Sequence, residues 1–89
     1  MKAVITVLGK DRVGVLAEVS AICAEHKVNI IDVTQSVMSE LFCMIMVCDI
    51  SGIDCDFGHF AEFIKTKGEE KNLRIRAMHE DIFNSMHNI

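Results

Sequence analysis

Hydrophobic and polar positions change period several times along this chain, and each change marks an element. Ala3 to Leu8 is apolar and β-branched almost without interruption, the pattern of a strand covered on both faces. Val15, Leu16, Val19, Ile22 and Cys23 then recur at helical spacing, with Ala17, Ala21 and Ala24 beside them and Glu18 and Glu25 on the outward side. This predicts an amphipathic helix from Val15 to His26 built from strong helix formers. Asn29 stands where the chain must turn from helix to strand, and asparagine tolerates turn geometry. From Ile30 to Met38 the pattern alternates, with Ile31, Val33 and Val37 on one parity and Asp32, Thr34 and Ser36 on the other. Such a strand has one wet face or lies at a sheet edge.

Ser39-Glu40 is too short for anything but an antiparallel hairpin. Leu41 to Ile50 is apolar on both parities, as a central strand must be. Ser51-Gly52-Ile53-Asp54 reads as a loop in which Asp54 is a capping candidate. Phe57, Phe60, Phe63 and Ile64 predict a helix over Asp56–Lys71, weakened at Gly58 and Gly68 by about 1 kcal/mol each relative to alanine. Leu73 to His79 alternates again, with Arg74 and Arg76 on the outward parity that keeps an edge strand from sticking to neighbours. Ile82, Phe83, Met86 and Ile89 lie at helical spacing in a short tail.

The order βαββαβ plus a tail predicts an α+β fold, the ferredoxin-like sandwich. It has a four-stranded antiparallel sheet, two helices on one face and a short C-terminal helical tail. The two strands apolar on both faces are the first and third, which this topology puts in the middle; the second and fourth become edges. Leu41, Cys43, Ile45 and Val47 then face away from both helices. The tail or a second subunit has to cover them.

At 89 residues, positions 1–89 read as a single domain whose core is small enough to benefit from burial between subunits. The apolar share of 51% is that of an ordinary globular chain. The net charge of −4 is spread evenly with no basic block, which argues against a nucleic-acid partner. No apolar run reaches membrane-spanning length. The opening run is cut off at Gly9-Lys10-Asp11, unlike a signal peptide, so a cytoplasmic location is the expectation. Cys23, Cys43 and Cys48 sit inside apolar patterns and read as reduced core residues rather than disulfides.

The candidate chemistry gathers at Gly9-Lys10-Asp11-Arg12-Val13-Gly14, between the first strand and the first helix. Two glycines let the backbone approach other atoms closely. The amides of the helix's first turn lack intrahelical partners, and with the positive end of the helix dipole they suit a carboxylate or similar anion. A phosphate loop is a poor fit, because Val15 and Leu16 stand where Lys and Ser or Thr belong. A metal site from Cys48, Cys55 and His59 is a weak alternative to plain cysteines, since no CxxC pair exists. His26, His79 and His87 have no ligand-spaced partners. Lys65, Lys67 and Lys71 are balanced by Glu62, Glu69 and Glu70 on a solvated helix face. No local motif pairs a nucleophile with a base. The expectation is therefore a binding module with no catalytic residue, metal or cofactor.

Gly9, Asp11, Arg12 and Gly14, then Val28-Asn29-Ile30 followed by Asp32 and Gln35, resemble the ACT domain family. That family has a Gly-x-Asp-Arg-Pro-Gly-like loop and a Val-Asn-Ile turn into its second strand. The closing Glu80-Asp81-Ile82-Phe83-Asn84-Ser85-Met86-His87 is similar to the ending of small stand-alone bacterial ACT proteins. Val13 stands where the family has proline, which restores an amide and leaves φ free. The resemblance implies an amino acid or related effector bound at a subunit interface of a homodimer or higher homo-oligomer, reported to a regulated protein partner. Asp11, Arg12, Val13, Gly14 and Val15 would come from one protomer, and Asn29 and Ile30 from another. A structural adaptor that associates with another ACT-containing protein is the alternative; an enzyme is a distant third.

Overall fold

The computed structural model describes residues 1–10 and 13–86. The elements run β1 (Lys2–Lys10), α1 (Val15–Glu25), β2 (Asn29–Met38), β3 (Leu41–Asp49), α2 (Phe57–Glu70), β4 (Leu73–His79) and α3 (Glu80–Met86). The strands form one antiparallel sheet in the order β2-β3-β1-β4. This is the ferredoxin-like arrangement, with the doubly apolar strands central and the alternating ones at the edges.

The register explains the core. Ala3, Ile5 and Val7 of β1 lie opposite Cys48, Met46 and Met44 of β3, and all six are buried on the helix side. Leu73 and Ile75 of β4 extend that layer, and Val15, Val19 and Cys23 of α1 with Phe60 and Ile64 of α2 close it. No polar or charged side chain is buried among the described residues, so this core carries no desolvation cost to offset. Truncating Phe60, which is fully buried, would cost about 3–5 kcal/mol.

Several local readings of the sequence need correction. β1 extends to Lys10, so Gly9 is a strand residue rather than part of the turn. A Cβ at Gly9 would lie 2.7 Å from Leu73 Cδ2, and glycine there permits the close approach of β4. Lys27, at φ 60°, takes the left-handed position before β2, while Asn29 is already strand. Asp56 rather than Asp54 caps α2, its Oδ2 accepting from the His59 amide at 3.3 Å.

The parity of β2 is also broken. Ile30 pairs with Cys48 and Asp32 with Val47, leaving Ile31 as an extra residue in a bulge. Ile30 and Val33 both pack on the helix-side core, while Ile31 is 49% exposed. A period-two reading cannot register such an insertion, and one inserted residue flips everything on one side of it. The Ser39-Glu40 hairpin is as expected: Met38 pairs with Leu41 across it, and Ser39 has φ 59°.

On the other face, Val4 is buried yet outside the helix-side core. It lies opposite Val47 and Met78. α3 packs against β1 and β4, which accounts for the cover over Val4. That cover is local. Leu8, Leu41 and Ile45 remain exposed, as do Ile82 and Met86 of α3 itself. Ile89 lies outside the described residues.

Gly68 sits buried where α2 crosses β4, and a Cβ there would meet Ile75 Cγ1 at 2.7 Å and the Leu73 carbonyl oxygen at 3.0 Å. Gly68→Ala gains about 1 kcal/mol of helix propensity and loses about 1–3 kcal/mol to overpacking. The expected outcome in urea denaturation is a lower midpoint with an unchanged slope.

Candidate functional site

The loop leaves β1 at Lys10 and enters α1 at Val15. Asp11 and Arg12 lie outside the described residues. Val13 is 97% exposed. Gly14 is the residue that makes the turn: it is the N-cap of α1, left-handed at φ 91° and ψ 4°, and it offers no side chain to cap the helix. The Glu18 amide donates to the Gly14 carbonyl at 2.9 Å, closing the first turn. The amides of Val15, Leu16 and Ala17 precede that first bond, and among the described residues no side chain caps them. The Val15 side chain is buried in the core, which anchors this turn. Eleven helical residues stand behind it, enough to place a partial positive charge at these amides.

Asn29 and Ile30 lie elsewhere. Lys10 pairs with Leu41, and Leu41 with Met38, at one end of the sheet; Lys2 pairs with Asp49, and Asp49 with Asn29, at the other. Lys2 and Lys10 are eight residues apart along β1, which is about 26 Å of strand. A single chain therefore does not bring the glycine loop and Asn29 together, and any site using both spans two chains. Asn29 is exposed, with its side chain available to a neighbour. Ile30 packs its side chain on the core, so it can offer a ligand only its backbone.

The Asn29 end holds a group that the sequence reading missed. Asp49 Oδ1 accepts from the Ser51 amide at 2.9 Å and from its hydroxyl at 2.7 Å, and the N-terminal ammonium lies 3.9 Å away. The hydrogen bonds from the Ser51 hydroxyl and amide, more than the nearby positive charges, hold the Asp49 carboxyl below the usual aspartate range. The signal was the Asp-x-Ser spacing at a strand end, a local turn motif.

The cysteines and histidines take structural places. Cys23 and Cys48 are fully buried against each other; a hydrogen bond to Cys48, and then burial, push the Cys23 thiol far up. Cys43 is half-buried on the opposite face of β3. Burial first, then the neighbouring Asp54, raises the Cys55 thiol. His26 Nδ1 lies 3.1 Å from the Ile22 carbonyl, with its ring 5.4 Å from that of Phe60. The His79 ring lies 4.5 Å from that of Phe57, tilted by 39°. Among the described residues no cluster of three or more His, Cys, Asp or Glu could hold a metal ion, and no helix is long and apolar enough to cross a membrane. His87 lies outside the described residues.

The first helix of this two-layer sandwich starts at a left-handed glycine, and a family model described as the ACT domain matches residues 2–77. The chain belongs to the ACT domain family. A UPF0237 protein of Listeria innocua is 46% identical over 89 residues, covering all of both chains. A UPF0237 protein of Methanopyrus kandleri is 40% identical over 88 residues, covering 99% of this chain and 98% of that one. Among solved structures, an ACT domain protein from Streptococcus pneumoniae superposes with a TM-score of 0.81 at 38% identity, covering 93% of each chain. ACT domains are commonly regulatory ligand-binding modules.

Two consequences can be measured. Nothing lies within 4 Å of a Cβ built on Gly14, so Gly14→Ala should cost only its left-handed backbone, about 1–2 kcal/mol, seen as a lower denaturation midpoint. Asp49 has a lowered pKa in the fold. Its contribution to stability is therefore complete above the ordinary aspartate range, near pH 4, and is lost as pH falls through the lowered folded value. Stability measured from about pH 5 downward should fall less steeply for Asp49→Asn than for the parent chain.

Proposed function

We propose that this chain is a regulatory module that binds an amino acid or related metabolite at a subunit interface and carries out no catalysis. The observation that carries the reading is the uncapped first turn of α1 behind Gly14. A ligand carboxylate would accept from the amides near Gly14 and Val15, with Asp11, Arg12 and Val13 forming the rest of the loop. Asn29 of a second subunit would take the ammonium through its amide oxygen, and Ile30 would contribute backbone. The roughly 26 Å that separates these two halves within one chain is why the reading needs a homodimer or higher homo-oligomer. Ligand bridging two subunits favours the assembled state by mass action, and a regulated protein partner would read that change.

A second reading is favoured by the apolar surface left at Leu8, Leu41 and Ile45. In it the chain is a structural adaptor for another ACT-containing protein, and the loop serves only to start the helix.

A thermal-shift screen of the amino acids separates the two. At a ligand concentration a hundredfold above Kd, the first reading expects about 2.7 kcal/mol of stabilisation, on the order of 10 °C for a domain of this size. Asn29→Ala should remove that gain, and light scattering should show a larger species when ligand is present. No shift with any amino acid, together with specific capture of an ACT-bearing protein, would replace it with the adaptor.

A further inference from the structure

A cavity of about 470 Å³ opens where the end of β1, the start of β3 and the turn from α2 into β4 meet. Its polar lining is Glu69, Asn72 and Arg74, and its apolar lining Leu8, Leu41 and Leu73. Its size lies within the roughly 300–1,000 Å³ range of small-molecule sites. We propose that this cavity is a binding site for a zwitterionic α-amino acid with an apolar side chain, complete within one chain and separate from the glycine loop.

The chemistry of the lining matches both ends of such a ligand. Arg74 supplies a planar guanidinium, which grips a carboxylate through paired hydrogen bonds. Glu69 supplies an anion in the last turn of α2, where the negative end of the helix dipole adds to its attraction for an ammonium. The Asn72 amide serves either group, as donor or acceptor. Leu8, Leu41 and Leu73 then receive the side chain.

The turn that carries these groups is held in place. The Lys71 amide donates to the Gly68 carbonyl at 2.9 Å and the Asn72 amide to the Glu69 carbonyl at 3.1 Å, and Asn72 takes the left-handed position at φ 60°. Gly9 packs against this turn with no room for a Cβ. Two neighbouring cations are engaged elsewhere, Lys67 with Glu70 at 3.8 Å and Lys71 with Glu18 at 3.8 Å, while Lys65 and Arg76 stand beside Glu69 and Arg74 in an adjoining cavity. Among the described residues neither Glu69 nor Arg74 is in an ion pair. A guanidinium and a carboxylate thus line one cavity without neutralising each other, which leaves both for a ligand of two charges.

The test is a titration of the ¹⁵N-labelled full chain, followed by amide NMR, with leucine, valine, methionine and phenylalanine, and with N-acetyl-leucine and leucinamide. Shifts at Gly9, Asn72 and Arg74 that saturate with at least one free amino acid below about 10 mM are expected. Arg74→Ala and Glu69→Gln, both at exposed positions, should each weaken binding roughly tenfold or more while leaving the spectrum of a folded chain. N-acetyl-leucine should be indifferent to Glu69→Gln, and leucinamide to Arg74→Ala. Asn29→Ala should change none of this, which separates the cavity from the interfacial site. The proposal is overturned by an absence of saturable shifts, by shifts confined to the Gly14 and Asn29 regions, or by variants that bind as well as the parent.

Discussion

The central strands of this sheet are apolar on both faces, while α1 and α2 cover only one of them. Most of the molecule's character follows from that mismatch. On the covered side, Ile5, Met44, Met46, Phe60 and Ile64 are sealed without a single buried polar side chain among the described residues. On the other, Val4 is buried beside α3 but Leu8, Leu41 and Ile45 stay open. Covering a half-exposed leucine or isoleucine is worth on the order of 1 kcal/mol, so a partner seated on several of them would gain a stability that matters in a domain of this size. Edge strand β2 adds to this, with Ile31 and Val37 about half exposed. Its bulge and Asp32 are the devices that blunt it against indiscriminate pairing.

The fold was legible because strand position and composition agree. Two apolar periods on β1 and β3, and single alternations on β2 and β4, leave few ways to order the sheet. What was not legible depends on single residues whose meaning comes from elsewhere in the chain. Gly9 and Gly68 look like a loop glycine and a helix weakness, yet each is small because Leu73 or Ile75 passes within a Cβ's reach. Lys27 rather than Asn29 takes the left-handed turn, at the helix end where the Val28 amide donates back to the Cys23 carbonyl at 2.9 Å. Alternation alone puts Ile31 on the wrong face, because an inserted residue in β2 leaves no mark on it. The glycine loop was visible as a compact motif. The cavity near Arg74 was not, because its lining comes from positions 8–9, 41 and 69–74, which only the antiparallel register and the α2–β4 turn bring together.

Antiparallel geometry also decides how each site can communicate. The glycine loop and Asn29 sit at opposite ends of the same sheet, so a ligand gripping both is obliged to hold two chains, and its apparent affinity must rise with protein concentration. The cavity at Glu69, Asn72 and Arg74 needs one chain and carries no such dependence. The two are nonetheless near each other in the fold. Gly9 lines the cavity, and Lys10, the next residue, is the last of β1 before the loop. A dependence of binding on protein concentration thus distinguishes a ligand held between chains from one held within a single chain.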